Sequence, residues 1–383
     1  MKHLLTGTAA LMLTAAPVFA GAIERAPQSL GILFEEGNYV EFGAGRVSPE
    51  LSGNDIGAGT SSGDIAKNYN FFGLGYKHQF NENLSGAIIV EQPFGADMYY
   101  PTTGSAMLGG TAVTIDSTTY TALLRYKFDN NIGIHGGIRG SHASGEVDLR
   151  GLGYGGPPGP GSLNGYSAVL DGTWGWGYVL GASWEKPEIA ARVSLTYNSP
   201  VTHDFDTTET LSGGPLRAGQ TTTSVDTPRS WTLEGQTGVA ADTLVFGSIR
   251  WVKWSEFKVA PEAFSCAPPA MSPPCFGQTD GLVTLENTTT YTLGVARKFT
   301  ENWSGALSLG YEKSGNRLVS PLSPTTGRKS VGLAAIYTQD NWKVTTGITY
   351  IKLGDATADA AVPSAEFRDN DAWGIGVKVG YSF

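Results

Sequence analysis

Past residue 20 this chain of 383 residues has no apolar run near the roughly 20 residues that a membrane-spanning helix needs, which excludes a helical membrane protein. Charge is scarce: Lys, Arg, Asp and Glu make up 16% of the chain, against about 25% in soluble domains. The net charge of -9 excludes nucleic acid as a partner, because no basic footprint is available to meet phosphates. Histidine is rare at five residues, and none lies in the loop that carries Cys266 and Cys275, so no metal site is expected there. His78, His135, His142 and His203 are scattered, with no serine nucleophile motif beside them, so neither an enzyme nor a cofactor is expected.

Glycine (52 residues) and aromatics (11%) are abundant instead. That combination, with few charges and no spanning helix, suits an exported β protein facing lipid. Lys2 and His3, the apolar stretch Leu4–Ala16 and the small-x-small site Val18-Phe19-Ala20 read as a secretory signal peptide over 1–20. The two cysteines then enter an oxidising compartment. There they either close one loop as a disulfide, Cys266 to Cys275, or stay as unrelated thiols.

Period-two alternation recurs along the chain. Asp371, Trp373, Ile375, Val377, Val379, Tyr381 and Phe383 share one face, opposite small or polar residues. Tyr120, Ala122, Leu124, Tyr126 and Phe128 do the same. So does the set Tyr166, Ala168, Leu170, Trp174, Trp176, Tyr178, Leu180 and Trp184. About fourteen strands are expected: 37–47, 69–80, 84–92, 112–128, 132–149, 166–184, 188–203, 222–238, 242–257, 284–299, 303–313, 328–338, 342–353 and 371–383. Residues 242–257 alternate poorly. Short polar turns (81–83, 129–131, 185–187, 240–241, 300–302, 339–341) alternate with long Gly/Pro/Ser/Thr-rich loops (48–68, 93–111, 150–165, 204–221, 258–283, 314–327, 354–370). Such sorting belongs to outer-membrane barrels, not soluble sandwiches. Lipid offers no partner to a free strand edge, so the sheet has to close. The expected fold is an all-β transmembrane antiparallel barrel over 37–383, with a short plug segment over 21–36. Terminal Phe383 suits a last strand read by the barrel-insertion machinery, and outer-membrane lipid and lipopolysaccharide would surround the wall.

Several stretches resemble the FadL-type outer-membrane transporters of long-chain fatty acids and aromatic hydrocarbons. They are FEEGNYVEFG (34–43), GLGYKHQFNENLSGAIIVEQPFGADMYY (73–100), TPRSW (227–231), YEKSGNRLVSPLSPTTGRKSVGLAAIY (311–337) and the terminal GVKVGYSF. The resemblance implies a fourteen-stranded barrel with an N-terminal hatch, hydrophobic capture loops, a ligand pocket near the N-terminus and sideways exit at a kink in the third strand. Gln92-Pro93-Phe94-Gly95 is the matching place: proline lacks a ladder N–H and glycine tolerates unusual backbone angles. The same residues also read simply as the strand's end at a loop. One departure stands out. The hatch is only about sixteen residues long, and the family's Asn-Pro-Ala signature is absent.

Alternation turns Lys77, Arg125, Lys127, Arg139, Arg192, Lys298 and Lys378 inward, with Glu41, Glu91, Asp171 and Glu234. Arg139 and Arg192 foremost, with Lys378 and Phe34, are candidate lumen residues for an acidic hydrophobic ligand. Pairing with inward carboxylates is the competing reading. Met98, Tyr99, Tyr100, Tyr154, Leu211 and Leu216 are apolar residues in long loops, either a capture patch or loop–loop packing. The expected function is passive uptake of hydrophobic small molecules. A general diffusion porin is the alternative, although porins use about 16–18 strands.

Overall fold

A computed structural model of the chain describes residues 23–383 apart from 26–27, 160, 267–274 and 279. The expected signal peptide (1–20) lies outside the described residues. Fourteen strands form one antiparallel barrel. They are β1 (Tyr39–Glu50), β2 (Tyr69–Gln79), β3 (Leu84–Glu91, resuming at Gly95–Tyr99), β4 (Ala112–Lys127), β5 (Ile132–Leu149) and β6 (Tyr166–Lys186). Next come β7 (Ala191–Asn198, resuming at Val201–Leu211), β8 (Thr221–Thr227, resuming at Ser230–Ala240), β9 (Thr243–Val252) and β10 (Thr288–Lys298). The last four are β11 (Trp303–Glu312), β12 (Arg328–Gln339), β13 (Trp342–Leu353) and β14 (Asp371–Ser382). The ring closes by pairing β1 with β14 from Tyr39↔Ser382 to Glu50↔Asp371.

Local chemistry explains the hairpins. Asn131, Ala190, Asp242 and Asp340 adopt left-handed backbone angles in the short turns. Three of these are Asn or Asp, whose side chains tolerate that region best among residues with a Cβ. Outward residues of the strands are large and exposed, and aromatics gather at both ends. Trp303–Tyr337 and Trp342–Tyr381 meet as tilted ring pairs at the short-turn end, with centroids 4.9 and 4.7 Å apart. Tyr197–Trp231 and Tyr350–Trp373 do so at the other end, at 4.8 and 4.9 Å. From Trp174 to Trp184 on β6 the wall rises about 25 Å at ~3.3 Å per residue and a tilt of about 40°, the height of a membrane-facing band.

Two features differ from the expected pattern. First, the β5–β6 register shifts between Ala143 and Gly145. This bulge reverses the faces above it, so Tyr166, Ala168 and Leu170 are buried inward while Trp174 and Trp176 point out. Second, β7 runs past its expected end at residue 203, whereas β8 keeps close to its expected bounds. Both break at a proline, at Ser199-Pro200 and at Pro228-Arg229, and pair as an upper hairpin from Val201↔Thr227 to Thr207↔Thr221. Much of the expected loop 204–221 is therefore strand. Between Asn198↔Val179 and Thr207↔Leu170, β7 is not paired with β6. Here β7 rides over the inner face of β6: His203 Nε2 reaches past it to the Ser141 carbonyl of β5 at 3.1 Å. A Cβ on Gly175 would strike the Thr202 carbonyl oxygen, so only glycine permits the crossing.

The poor alternation of β9 also has a cause. Its inward Leu244 and Phe246 pack on Ala296, Ala306, Ala334 and Ile336, so both faces are apolar. The long loops form a cap with its own small sheet, built from Ser52–Asp55, Ser61–Asp64, Leu318–Val319, Ala356–Asp359 and Pro363–Phe367. Cys266 and Cys275 are joined as a disulfide in the loop between β9 and β10.

Candidate functional site

The wall is interrupted at β3. Glu91 faces Thr119 of β4, and Gly95 faces Asp116. Gln92, Pro93 and Phe94 therefore oppose only Ser117 and Thr118, a one-residue bulge in which Pro93 offers no N–H. On the other side β2 loses β3 above Gly73↔Glu91, leaving Tyr69 to Phe72 without a β3 partner. Freed backbone groups in a membrane wall need other partners. Ser117 Oγ accepts the Phe94 N–H at 3.0 Å and donates to the Phe94 carbonyl at 2.7 Å. Gln92 Oε1 accepts the Phe72 N–H at 3.4 Å. The rest comes from the N-terminal segment: Arg25 N–H donates to the Pro93 carbonyl at 2.7 Å, and Gly95 N–H to the Ile23 carbonyl at 2.8 Å. Residues 23–25 thus lie as a short extra strand on the β3 edge that β2 has released.

The same segment is pinned inside the barrel by polar contacts. Glu24 pairs with Arg250 of β9, Gln28 accepts from Arg139 Nη1 of β5, and Glu35 pairs with Lys343 of β13 at 2.8 Å. Between these anchors a single 3-10 turn, Gly31–Phe34, buries Ile32 and Leu33 with Leu30. They pack on Tyr39, Ala87, Ile89, Leu123 and Val179 in the lower lumen. Phe34 lies between two guanidinium groups, Arg192 at 4.1 Å and Arg125 at 4.8 Å from its ring centre.

Above the plug, beside the β3 break, is a cavity of about 70 Å³ whose exposed lining is almost wholly apolar. Ile23 and Phe94 form its floor side, and Ile115, Leu170, Phe205 and Val225 are among its walls. The β5–β6 bulge and the β7 crossing supply Leu170, His203 and Phe205; these are the irregular places where a wall residue turns inward. Alternation along an ideal strand misses them. The prolines inside long alternating runs, Pro200 and Pro228, are the signal that could have found the crossing.

The expected lumen cations are inward, but most are engaged; Asp171, expected inward, is instead exposed within the β5–β6 bulge, where it accepts from Gln220 Nε2 at 2.6 Å. Arg139 meets Gln28, Arg192 meets Phe34, and Lys378 pairs with Glu41 at 3.2 Å. Arg125, outside the first choice, pairs with Glu185. Among the loop candidates, Met98 lies on the upper arm of β3 and is buried. Tyr100, Tyr154 and Leu216 are buried in the cap core, and Leu211 packs against that core. The Tyr100 hydroxyl donates to the Pro321 carbonyl at 2.7 Å. Tyr99 is exposed, as are Ile56, Leu152, Leu318 and Val362 elsewhere in the long loops. Among the described residues no cluster of His, Cys, Asp and Glu could hold a metal ion.

Solved structures share this architecture. A FadL homologue of Pseudomonas aeruginosa matches at a TM-score of 0.71 and 13% identity, covering 99% of this chain and 98% of that one. The Pseudomonas putida toluene transporter TodX matches at 0.64 and 12%, covering 95% and 97%. The Ralstonia pickettii toluene transporter TbuX matches at 0.62 and 12%, covering 92% and 90%. At such identities they establish the fold. No curated protein matches in sequence. The family model described as outer membrane protein transport protein (OMPP1/FadL/TodX) matches residues 22–383. Because that match takes in the N-terminal segment and the whole closed barrel, the chain belongs to the OMPP1/FadL/TodX family of outer-membrane transport proteins.

Proposed function

We propose that this barrel admits hydrophobic small molecules across the outer membrane without an energy source. The observation that carries the reading is the apolar cavity between the plug and the β3 break. A carbon-lined space bordered by Ile23 of the N-terminal segment and Phe94 of the break favours a ligand with a large apolar part and rejects hydrated solutes. Exposed apolar residues on the cap, Tyr99 and Leu152 among them, give such a ligand a first foothold. The β3 break at Gln92 to Gly95 is the place for sideways release, since there the wall is held by side chains and a detachable segment rather than a continuous ladder. Relatives of the same fold are described as toluene transporters. A hydrocarbon and a fatty acid both suit the cavity; for the acid, Arg139 and Arg192 would take the carboxylate in place of Gln28 and Phe34. Lipopolysaccharide around the wall and the insertion machinery acting on the Phe383 end are further expected partners.

The test is uptake of labelled toluene and labelled oleate by cells that express or lack the protein, beside conductance in planar bilayers. Uptake of either with little ion current supports the proposal. A large steady ohmic current with no gain in uptake would establish the diffusion-porin alternative instead.

A further inference from the structure

Arg46 is an exposed arginine on the lipid-facing side of β1. Its register partners are Asn70 of β2 and Ile375 of β14, both also outward. The upper aromatic rim passes through Trp373, which pairs with Ser48, and Tyr350. Arg46 therefore sits one outward step inside that rim, on the hydrocarbon side. Among the described residues it has no ion pair and no side-chain hydrogen bond, whereas the lumen cations described above are engaged. The other outward arginine on a strand, Arg297, lies one outward step from Phe299 at the short-turn end and can reach water there. Arg46 also borders a groove of about 700 Å³ on the outside of the wall, shared with Asn70, Phe72, Gln92, Ile375 and Val377. Gln92 is the residue that patches the β3 break, so the groove begins where the wall is interrupted.

An unneutralised guanidinium facing hydrocarbon is unfavourable, and an anion relieves it most when it accepts two parallel N–H bonds. Asn70 adds a neutral donor beside it. Phe72, Ile375 and Val377 offer an apolar floor for a chain lying along the wall. We infer that Arg46 and Asn70 form a binding site, on the outside of the barrel, for the anionic head group of an amphiphile whose tail lies in this groove. The chemistry is a carboxylate or phosphate on a hydrocarbon chain. It can come from a transported acid leaving through the break, or from a resident lipid of the outer leaflet. The site does not depend on the transport proposal, because the second source exists whether or not the channel carries acids.

Native mass spectrometry of the full barrel in mild detergent tests this, in one arm with added oleate and in the other with outer-membrane lipids alone. Arg46→Ala should lower the bound amphiphile about tenfold, while Arg46→Lys keeps most of it. Arg46→Ala removes a charge from the lipid face and should fold, which heat-modifiable gel mobility will verify. Loss of a fatty-acid adduct assigns the site to departing ligand; loss of a phosphorylated-lipid adduct assigns it to resident lipid. Equal adducts in wild type and Arg46→Ala in both arms would overturn the inference. If wild type takes up no oleate but Arg46→Ala still loses lipid, the transport proposal fails and the site stands.

Discussion

Replacing Glu24 by alanine should free the N-terminal segment from the β3 break. Glu24 and Arg250 form an ion pair with both side chains less than a tenth exposed. Without that pair, residues 23–25 retain two backbone hydrogen bonds worth about 1 kcal/mol each, the burial of Ile23, worth about 2 kcal/mol, and the Arg25 contacts with exposed Asp116 at 3.8 Å and the Tyr69 ring at 4.6 Å, worth about 1 kcal/mol together. Ordering three residues costs about 1–2 kcal/mol each, which takes back nearly all of this. The ion pair therefore decides whether the segment stays in place. Removing one partner of a buried pair costs about 3–5 kcal/mol. Arg250 keeps its bonds to the Ser230 and Thr232 hydroxyls at 3.1 and 3.0 Å, so water can rescue it once the segment leaves. Hydrogen exchange at the Arg25 and Gly95 amides reads the opening directly. It should quicken by about 10²–10³-fold in Glu24→Ala and by less in Glu24→Gln, which keeps a hydrogen bond. Arg250→Ala should release the segment equally while destabilising the barrel less, because no cation is stranded. If both amides stay as protected in Glu24→Ala as in wild type, the anchoring argument is wrong.

Deleting Phe94 removes the extra residue of the bulge and lets β3 run on beside β2; uptake should fall while heat-modifiable mobility remains. Ala143→Phe fills the cavity at a strain of about 1–3 kcal/mol and should abolish hydrocarbon binding measured by calorimetry; retained binding would place the ligand elsewhere. Arg139→Ala with Arg192→Ala should weaken fatty-acid binding about 10- to 100-fold and spare toluene, and equal affinity for the acid would end the carboxylate role. Gly175→Val puts a side chain against the Thr202 backbone and should cost about 1–3 kcal/mol in the thermal unfolding of the barrel; an unchanged midpoint would contradict the inward course of β7.

The barrel was legible because lipid enforces one simple rule on every strand. An outward residue must be apolar, so Trp373, Ile375 and Val377, or Tyr120, Ala122 and Leu124, announce themselves by period two. The lower ends of strands were placed to within a few residues for the same reason, with Asn and Asp marking the turns. Above the membrane that rule lapses. Tyr166, Ala168 and Leu170 look like a continuation of the Trp174 face, yet a single added residue turns them inward, and period two cannot count an insertion. The upper arm of β7 carries Asp204, Asp206 and Thr208 on its outer side, so from residue 204 on it reads as loop. The lumen cations were found by alternation. Of their partners, Glu41 and Phe34 were among the candidates, but Gln28 and Glu35 were not, because they come from an irregular segment with no periodicity to follow.

The β3 break and the plug are one device rather than two. A ladder broken in lipid must have its N–H and C=O groups met, and here the plug meets two of them, through Arg25 N–H and the Ile23 carbonyl. The segment cannot leave without stripping Pro93 and Gly95 of partners, and those groups then need water or a ligand. Conversely, a ligand that enters the cavity touches Ile23 and Phe94 together, so it presses on both sides of the same joint. Opening the plug and opening the wall therefore share a free energy, that of the contacts among residues 23–25 and 93–95. A substitution that loosens either should loosen both by a similar factor. Glu24→Ala should thus alter labelling of a cysteine placed at Phe72, on the outer lip of the break, in step with amide exchange at Arg25. Labelling that stays constant while the amide opens would show that the wall holds without the plug, and that the two act separately.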